Sequence, residues 1–410
     1  MSRPLRVLRR VRGAARAHGA PVPLVGLRAL RLVRRGWYLG DLALLGLLDP
    51  YDGPARERWA VRRRDLEELL ERLNPAGATD LVQDKLHFAR ACADREIPTP
   101  PVVAVLTRTP DRAATIATWA AALERDAPEH FVVKPVSGQR GIGVRVLERR
   151  ARGGAEPGRP ARSWPTLAGE LEAGPGSTLL LQPRLRSRED VRRLTGRDAL
   201  QTYRIVTLLD EDDRAGVLYA VLRLAVDDVL LDGFRAADSG ATGNLIARVQ
   251  ADGTLAVPVG VAPSGFGLVR VPRHPHSGVV LAGAPAPGWA EARSLAIRTA
   301  EAFCELRTVG WDVAVTDGGV VIVEGNAWWG ASADLDGELL GVRAALAAAA
   351  EAADAAAAGA VDRAASHARV ESADHFAGEM APPASGHPRG VTGGDTAEQR
   401  EAENRMDSGR

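Results

Sequence analysis

Gly310-Trp311-Asp312-Val313-Ala314-Val315-Thr316-Asp317-Gly318-Gly319-Val320-Val321-Ile322-Val323-Glu324-Gly325-Asn326 is the stretch that decides the reading of this chain. Two alternating strands around Asp317-Gly318-Gly319 predict a β-hairpin. Glu324 and Asn326 stand two apart, so they share one face of the second strand. Asp312 on the first strand precedes Glu324 by twelve residues, which a tight hairpin brings side by side. Two carboxylates and an amide oxygen are hard donors suited to Mg²⁺, which completes its shell with waters and substrate phosphates. Solvent-facing acids would be the bland alternative, but the apolar run Val321-Ile322-Val323 leads straight into Glu324. Gly325 then permits a close backbone approach.

Outward from the hairpin, the lysine usage is unusual. Of 53 basic residues only Lys85 and Lys134 are lysines. Codon bias explains the arginines; a lysine that persists marks a site where a planar fork cannot replace a compact ammonium. Lys134 ends the strand Phe131-Val132-Val133. The loop Ser137-Gly138-Gln139-Arg140-Gly141-Ile142-Gly143 follows it, with the glycine content of a phosphate cradle. Its G-x-x-G-x-G spacing is neither the dinucleotide-binding nor the P-loop spacing, and no helix follows it. Thr79 or Asp80 is expected to cap one helix running from Leu81 to Ile97, with Lys85 in its second turn.

At 410 residues, 45% apolar and 26% charged, the chain is globular in composition and long enough for two to three structural units. A net charge of +1 argues against nucleic acid as a partner. Cys92 and Cys304 form no disulfide framework, which suits a reducing cytoplasm. No apolar run is long enough for a spanning helix, and the stretch Trp37–Leu48 is interrupted by Asp41 and lacks signal-peptide flanks. Residues 1–35 hold ten arginines and no acid, a basic amphipathic pattern that could touch an anionic membrane or be a solvated face. Residues 150–165 read as a polar linker or mobile loop, and residues 358–410 as a disordered tail with too few large apolar residues to fold. The strands Leu200–Leu209 and Ala215–Val226 flank an acidic turn, and a helix ends before Asn74-Pro75.

Over roughly residues 75–345 the sequence resembles the ATP-grasp superfamily, in particular the sugar-transferase-associated group related to α-L-glutamate ligases. The resemblance rests, in order, on ATDLVQDKLHF, FVVKP with GQRGIG, LLLQPRL, TYRIVTLL, AVLRLA, DSGATGNL, HPHSG and GWDVAVTDGGVVIVEGN. It implies an α+β fold in which two subdomains clasp ATP between antiparallel sheets. The domains are then a basic helical extension over 1–74, an N-terminal part over 75–185, a C-terminal part over 186–345 and the tail. It also implies that Lys85 reaches the α-phosphate, Lys134 the α- and β-phosphates, and that Ser137, Gly138, Gly141 and Gly143 cover the β- and γ-phosphates. Gln182 and its neighbours would form the hinge strand whose backbone meets adenine. Asp312, Glu324 and Asn326 would bind two Mg²⁺, with Mn²⁺ able to substitute. Arg204 and Arg223, set in apolar strands, would stabilise the transferred phosphoryl group.

The sequence departs from the family pattern in several places. Pro183-Arg184 replaces the acidic residue that helps to read adenine, and Gly243-Asn244 replaces a glycine pair. Ser239 stands where an asparagine is expected after Asp238. These changes fall at the adenine and acceptor positions, so substrate identity does not carry over. His274 and His276 could orient a substrate or cap a turn, and Trp328 and Trp329 could line a pocket or close the core. Three functions fit these residues. The first is a cytoplasmic ligase that activates a carboxylate as an acylphosphate for attack by an amine or thiol, in cell-envelope glycan or peptide modification. The second is a phosphotransferase on the same scaffold; the third is a non-catalytic ATP-binding partner of a glycan pathway, held at the membrane by residues 1–35.

Overall fold

The computed structural model describes residues 3–138, 141–227, 243–330 and 335–378. Met1–Asp354 form one compact unit and Ala355–Arg410 a second. The first unit is built on two antiparallel sheets. One contains β1 (Ala104–Thr107), β2 (His130–Pro135), β3 (Arg145–Arg150), β4 (Gly153–Ala155), β5 (Arg162–Ser163) and β6 (Thr178–Pro183), in the order β1-β6-β2-β3-β4-β5. The other contains β7 (Thr202–Leu209), β8 (Ala215–Leu224), β9 (Leu245–Arg248), β10 (Val259–Val261), β11 (Leu268–Arg270), β12 (Thr308–Thr316) and β13 (Gly319–Asn326), in the order β11-β10-β9-β8-β7-β12-β13. This is the α+β pair of antiparallel sheets expected from the sequence.

The helices are, in chain order, α1 (Arg3–Ala17), α2 (Val22–Arg34), α3 (Leu39–Leu44), α4 (Gly53–Glu57), α5 (Arg63–Leu73), α6 (Ala76–Gln83), α7 (Lys85–Asp94), α8 (Arg112–Asp126), α9 (Trp164–Glu172), α10 (Glu189–Thr195), α11 (Trp289–Ala302) and α12 (Glu338–Gly378). Helices α8 and α9 cover the six-stranded sheet: Trp119, Leu123, Trp164 and Leu167 pack on Phe131, Val133 and Leu181. On the seven-stranded sheet, α7 and α11 supply Phe88, Cys92, Leu295 and Ala296 to one face, against Ile205, Trp311 and Val313. Helices α5 and α12 supply Leu66, Leu70, Leu339 and Leu346 to the other, against Val206 and Trp329. Strand β12 is therefore buried at every position, although its sequence reads as an alternating strand; both faces are covered by helices.

One sequence expectation changes here, and the first residues of the expected tail continue a helix. Residues 150–165 are not a free linker. They contribute β4 and β5, closed by Glu156, whose carboxylate accepts from Arg145 and Arg162. Burial opposes its ionisation, but those guanidinium groups hold its carboxyl down to about 2. A Cβ on Gly153 would stand 1.8 Å from the carbonyl oxygen of Arg162, so this pairing requires glycine. The tail expected from residue 358 begins inside α12, whose alanine-rich sequence carries the helix to Gly378. Residues 379–410, and the acceptor-side positions Asp238 and Ser239, lie outside the described residues.

Candidate nucleotide and metal site

The site begins in the β12–β13 hairpin. In its register Asp312 pairs with Glu324 and Gly310 with Asn326, with a β-bulge just beyond the acidic pair, where Val313 pairs with Ile322. A bulge sharpens the local twist and re-aims neighbouring side chains. Asn326 donates through Nδ2 to the carbonyl of Gly310 at 3.3 Å, which fixes the orientation of its amide oxygen. Gly325 does allow a close approach, but the group that approaches is protein. A Cβ there would stand 2.8 Å from Trp311 and 2.9 Å from Val82.

The arginines complete the hairpin. Arg204 lies opposite Asp312 on β7 and donates to it from Nε at 2.5 Å and from Nη2 at 3.1 Å. Arg223 on β8 donates from Nη1 to the same carboxylate at 3.1 Å. Gly310 makes room for this crossing, since a Cβ on it would meet the Cδ of Arg204 at 3.0 Å and the Cβ of Trp329 at 2.7 Å. Burial alone would raise the Asp312 pKa; Arg204 and Arg223 outweigh it and hold the carboxyl well below the usual carboxylate range. Glu324 shifts the other way. Burial and the neighbouring Asp312 raise it, against the pull of Lys85 and Lys134.

Both lysines approach from the other side. Lys134 stands on β2, where burial lowers its ammonium pKa to about 8, opposed by Glu324 and reinforced by Lys85. Lys85 is not in the second turn of a long helix. Asp84 breaks that helix, accepting at Oδ1 from the backbone N–H groups of Leu86 and His87 at 2.9 and 2.8 Å, so Lys85 is the first residue of α7. A short Asp cap here outcompetes helix continuation. The Lys85 N–H also donates to the carbonyl of Val136 at 3.1 Å, and its Nζ donates to the carbonyl of Gly138 at 2.8 Å. One lysine is thereby tied to the loop that follows the other. In that loop Gly138, Gly141 and Gly143 have φ of 141°, 69° and 78°, which L residues rarely adopt. Ser137 is exposed, and Gln139 and Arg140 lie outside the described residues.

Gln182 is placed on β6 beside β2. Its side chain is spent on the fold: it is buried and donates to the carbonyl of Pro100 at 2.9 Å. His274 caps a turn, its Nδ1 accepting from the backbone of His276 and Ser277. Trp329 closes the core and Trp328 is exposed. One residue escaped sequence reading. Asn74, taken only as a helix stop, is buried and donates through Nδ2 to the carbonyls of Thr308 and Ala327 while accepting from the N–H of Thr308. It fastens the entrance of β12 to the exit of β13.

A model of the sugar-transfer associated ATP-grasp proteins matches residues 64–346. The chain belongs to this ATP-grasp family. No functionally curated protein matches the sequence. Among solved structures it is similar to D-alanyl-alanine synthetase A from Vibrio cholerae, at 11% identity and a TM-score of 0.34, over 61% of this chain and 56% of that one. It is also similar to the ATP-grasp ligase PsnB in complex with a minimal precursor, at 16% identity and a TM-score of 0.32, over 67% and 63% respectively. The chain thus spans less than two thirds of either structure, and the assignment rests on the family match. ATP with a divalent cation is the cofactor pair of ATP-grasp ligases. The residues fit a cation. A carboxylate offers about four lone-pair positions, of which the two arginines take three on Asp312. Glu324 adds a carboxylate that no arginine is seen to neutralise among the described residues, and Asn326 adds an oriented amide. No cluster of three or more His, Cys, Asp or Glu occurs among the described residues, so such a cation would rely on these three donors and on substrate phosphates.

Proposed function

We propose that the protein is an ATP- and Mg²⁺-dependent ligase. It would transfer the γ-phosphoryl group to a carboxylate and let an amine or thiol displace phosphate from the acylphosphate. The observation that carries this reading is the mutual electrostatic reach of Lys85, Lys134 and Glu324, three residues from different elements of the two-sheet unit. Lys134 is half-buried on β2, where desolvation and the neighbouring Lys85 disfavour its ammonium and Glu324 favours it, and a bound phosphate would favour it further. In this reading Lys85 and Lys134 hold the α- and β-phosphates, and the loop from Ser137 to Gly143 covers the β- and γ-phosphates with backbone N–H groups. The backbone beside Gln182 meets adenine. Asp312, Glu324 and Asn326 would hold two Mg²⁺ ions, or Mn²⁺ in their place. Bound metal supplies charge neutralisation on the transferring phosphoryl oxygens.

Arg204 and Arg223 then serve twice. They keep Asp312 ionised, and they present guanidinium N–H groups where negative charge develops. No side-chain nucleophile is needed, because positioning and charge stabilisation carry phosphoryl transfer. The acceptor belongs to cell-envelope glycan or peptide modification, in keeping with the sugar-transfer description of the family. The test incubates the protein with Mg·ATP, a panel of carboxylates and hydroxylamine. A ligase releases phosphate and forms a hydroxamate with one class of carboxylate. A phosphorylated acceptor that accumulates without any amine would identify a phosphotransferase instead.

A further inference from the structure

Helices α1 and α2 lie at the far edge of the seven-stranded sheet from the hairpin. Their inward faces are conventional: Val11, Ala14, Val25, Ala29 and Leu32 join Val259 and Leu268 of β10 and β11 in one apolar cluster. A Cβ on Gly13 would stand 2.7 Å from the ring of Phe266, which brings α1 down onto the loop between those strands. The outward face of α2 is not conventional. Leu24, Leu27 and Leu30 recur every third residue on the side opposite Val25, Ala29 and Leu32, and they are 41%, 67% and 48% exposed. A helix that buries one apolar stripe and exposes a second has its exposed stripe available to another surface.

The charge around that stripe selects the surface. Of the ten arginines in residues 1–35, Arg28 and Arg35 are engaged by Glu57. Arg6, Arg9, Arg12, Arg16, Arg31 and Arg34 are exposed. Arg31 and Arg34 follow Leu27 by four and seven residues and continue its stripe, and Leu5 and Leu8 are exposed among the arginines of α1. Leucines ringed by guanidinium groups, with no acid in the segment, complement a surface that is apolar below and anionic above. A lipid leaflet with acidic headgroups has that profile.

We propose that α1 and α2 form a membrane-docking face, seating the outward leucines of α2 among the acyl chains and the arginines of both helices among anionic headgroups. No helix among the described residues is long and apolar enough to cross a membrane, so the attachment is peripheral. Six strand steps separate β11 from β13. At roughly 4.8 Å each that is about 29 Å, so docking leaves the candidate nucleotide site open to the solvent side.

The full-length protein is co-sedimented with phosphatidylcholine vesicles and with phosphatidylcholine–phosphatidylserine vesicles over a salt series. Binding is expected to the mixed vesicles only and to weaken as salt rises. Leu27→Asp, on a side chain with little to lose from the fold, should abolish that binding with the melting temperature and ATP turnover unchanged. Arg31→Ala with Arg34→Ala should weaken it by about thirtyfold, from the usual increment per basic residue near an acidic leaflet. Equal binding to both vesicle types, or none to either, overturns the proposal. So does a dimer in lipid-free sedimentation equilibrium that Leu27→Asp dissolves, since the face would then belong to a second copy of the chain.

Discussion

The hairpin and the glycine loop supply the two halves of the candidate site, and they are built in opposite ways. In the hairpin the polar groups around the Glu324 carboxylate are held by protein partners. Asp312 accepts from two arginines, Asn326 is held by Gly310, and Asn74 ties the two strand ends together. In the loop the backbone carries the geometry: three glycines have positive φ, Ser137 is exposed, and Ile142 is 65% exposed. The only side-chain tie described there is Lys85 to the Gly138 carbonyl. A metal site needs charges held against their mutual repulsion, so it must be prepaid in packing. A phosphate cradle needs N–H groups and room, which glycine supplies at no steric cost.

That contrast predicts that hairpin changes damage stability while loop changes damage affinity. The largest effect is expected at Arg204→Ala. It leaves a buried carboxylate with one guanidinium, and breaking such a pair costs about 3–5 kcal/mol; chemical denaturation should show it, and Arg204→Lys should recover only part of it. Asn74→Ala strands the N–H and carbonyl of Thr308 and should cost about 1–3 kcal/mol in the same measurement. Neither substitution touches the loop. A pH series sharpens the comparison from the lysine side. The folded pKa of Lys134 lies near 8, below its ordinary 10.5, so between those values the unfolded chain holds more protons. This group therefore makes the ligand-free protein more stable as pH rises through that window. ATP binding needs the charged ammonium and should weaken over the same window, opposite in sign. The smallest stability effect is expected at Ile142→Ser, within about 0.5 kcal/mol, with a measurable loss of ATP affinity. Equal stability losses in loop and hairpin would erase the distinction.

The two halves also differ in how far sequence reached them. Asp312, Glu324 and Asn326 were legible because a hairpin converts spacing into proximity through the two-residue period of a strand. The lysines were legible by scarcity, though not their setting. A continuous helix-compatible run from Leu81 to Ile97 hides the break at Asp84, which needs only one side chain to cap a new helix. The strands at Gly153–Ala155 and Arg162–Ser163 read as linker because glycine, proline and arginine dominate them. Their pairing depends on Glu156 meeting arginines on either side of it, which no local pattern displays. Asn74 was invisible for a similar reason: its partners lie more than 230 residues away. Gln182 was legible as a strand residue, while the use of its side chain depends on Pro100, 82 residues earlier.

The central claim is that Lys85, Lys134 and the acidic hairpin make one site for Mg·ATP, with nucleotide grip and metal binding on separable residues. Calorimetric titration of wild type, Glu324→Gln and Lys134→Arg with a non-hydrolysable ATP analogue, each with and without Mg²⁺, tests it. Wild type should bind more tightly with Mg²⁺. Glu324→Gln should keep the metal-free affinity and lose the gain from Mg²⁺, because a metal-ligating charge is gone while the lysines remain. Lys134→Arg should lose affinity in both conditions, since a wider planar fork cannot occupy the position of a compact ammonium. An unchanged Mg²⁺ gain in Glu324→Gln, or wild-type affinity in Lys134→Arg, would contradict the assignment of the site.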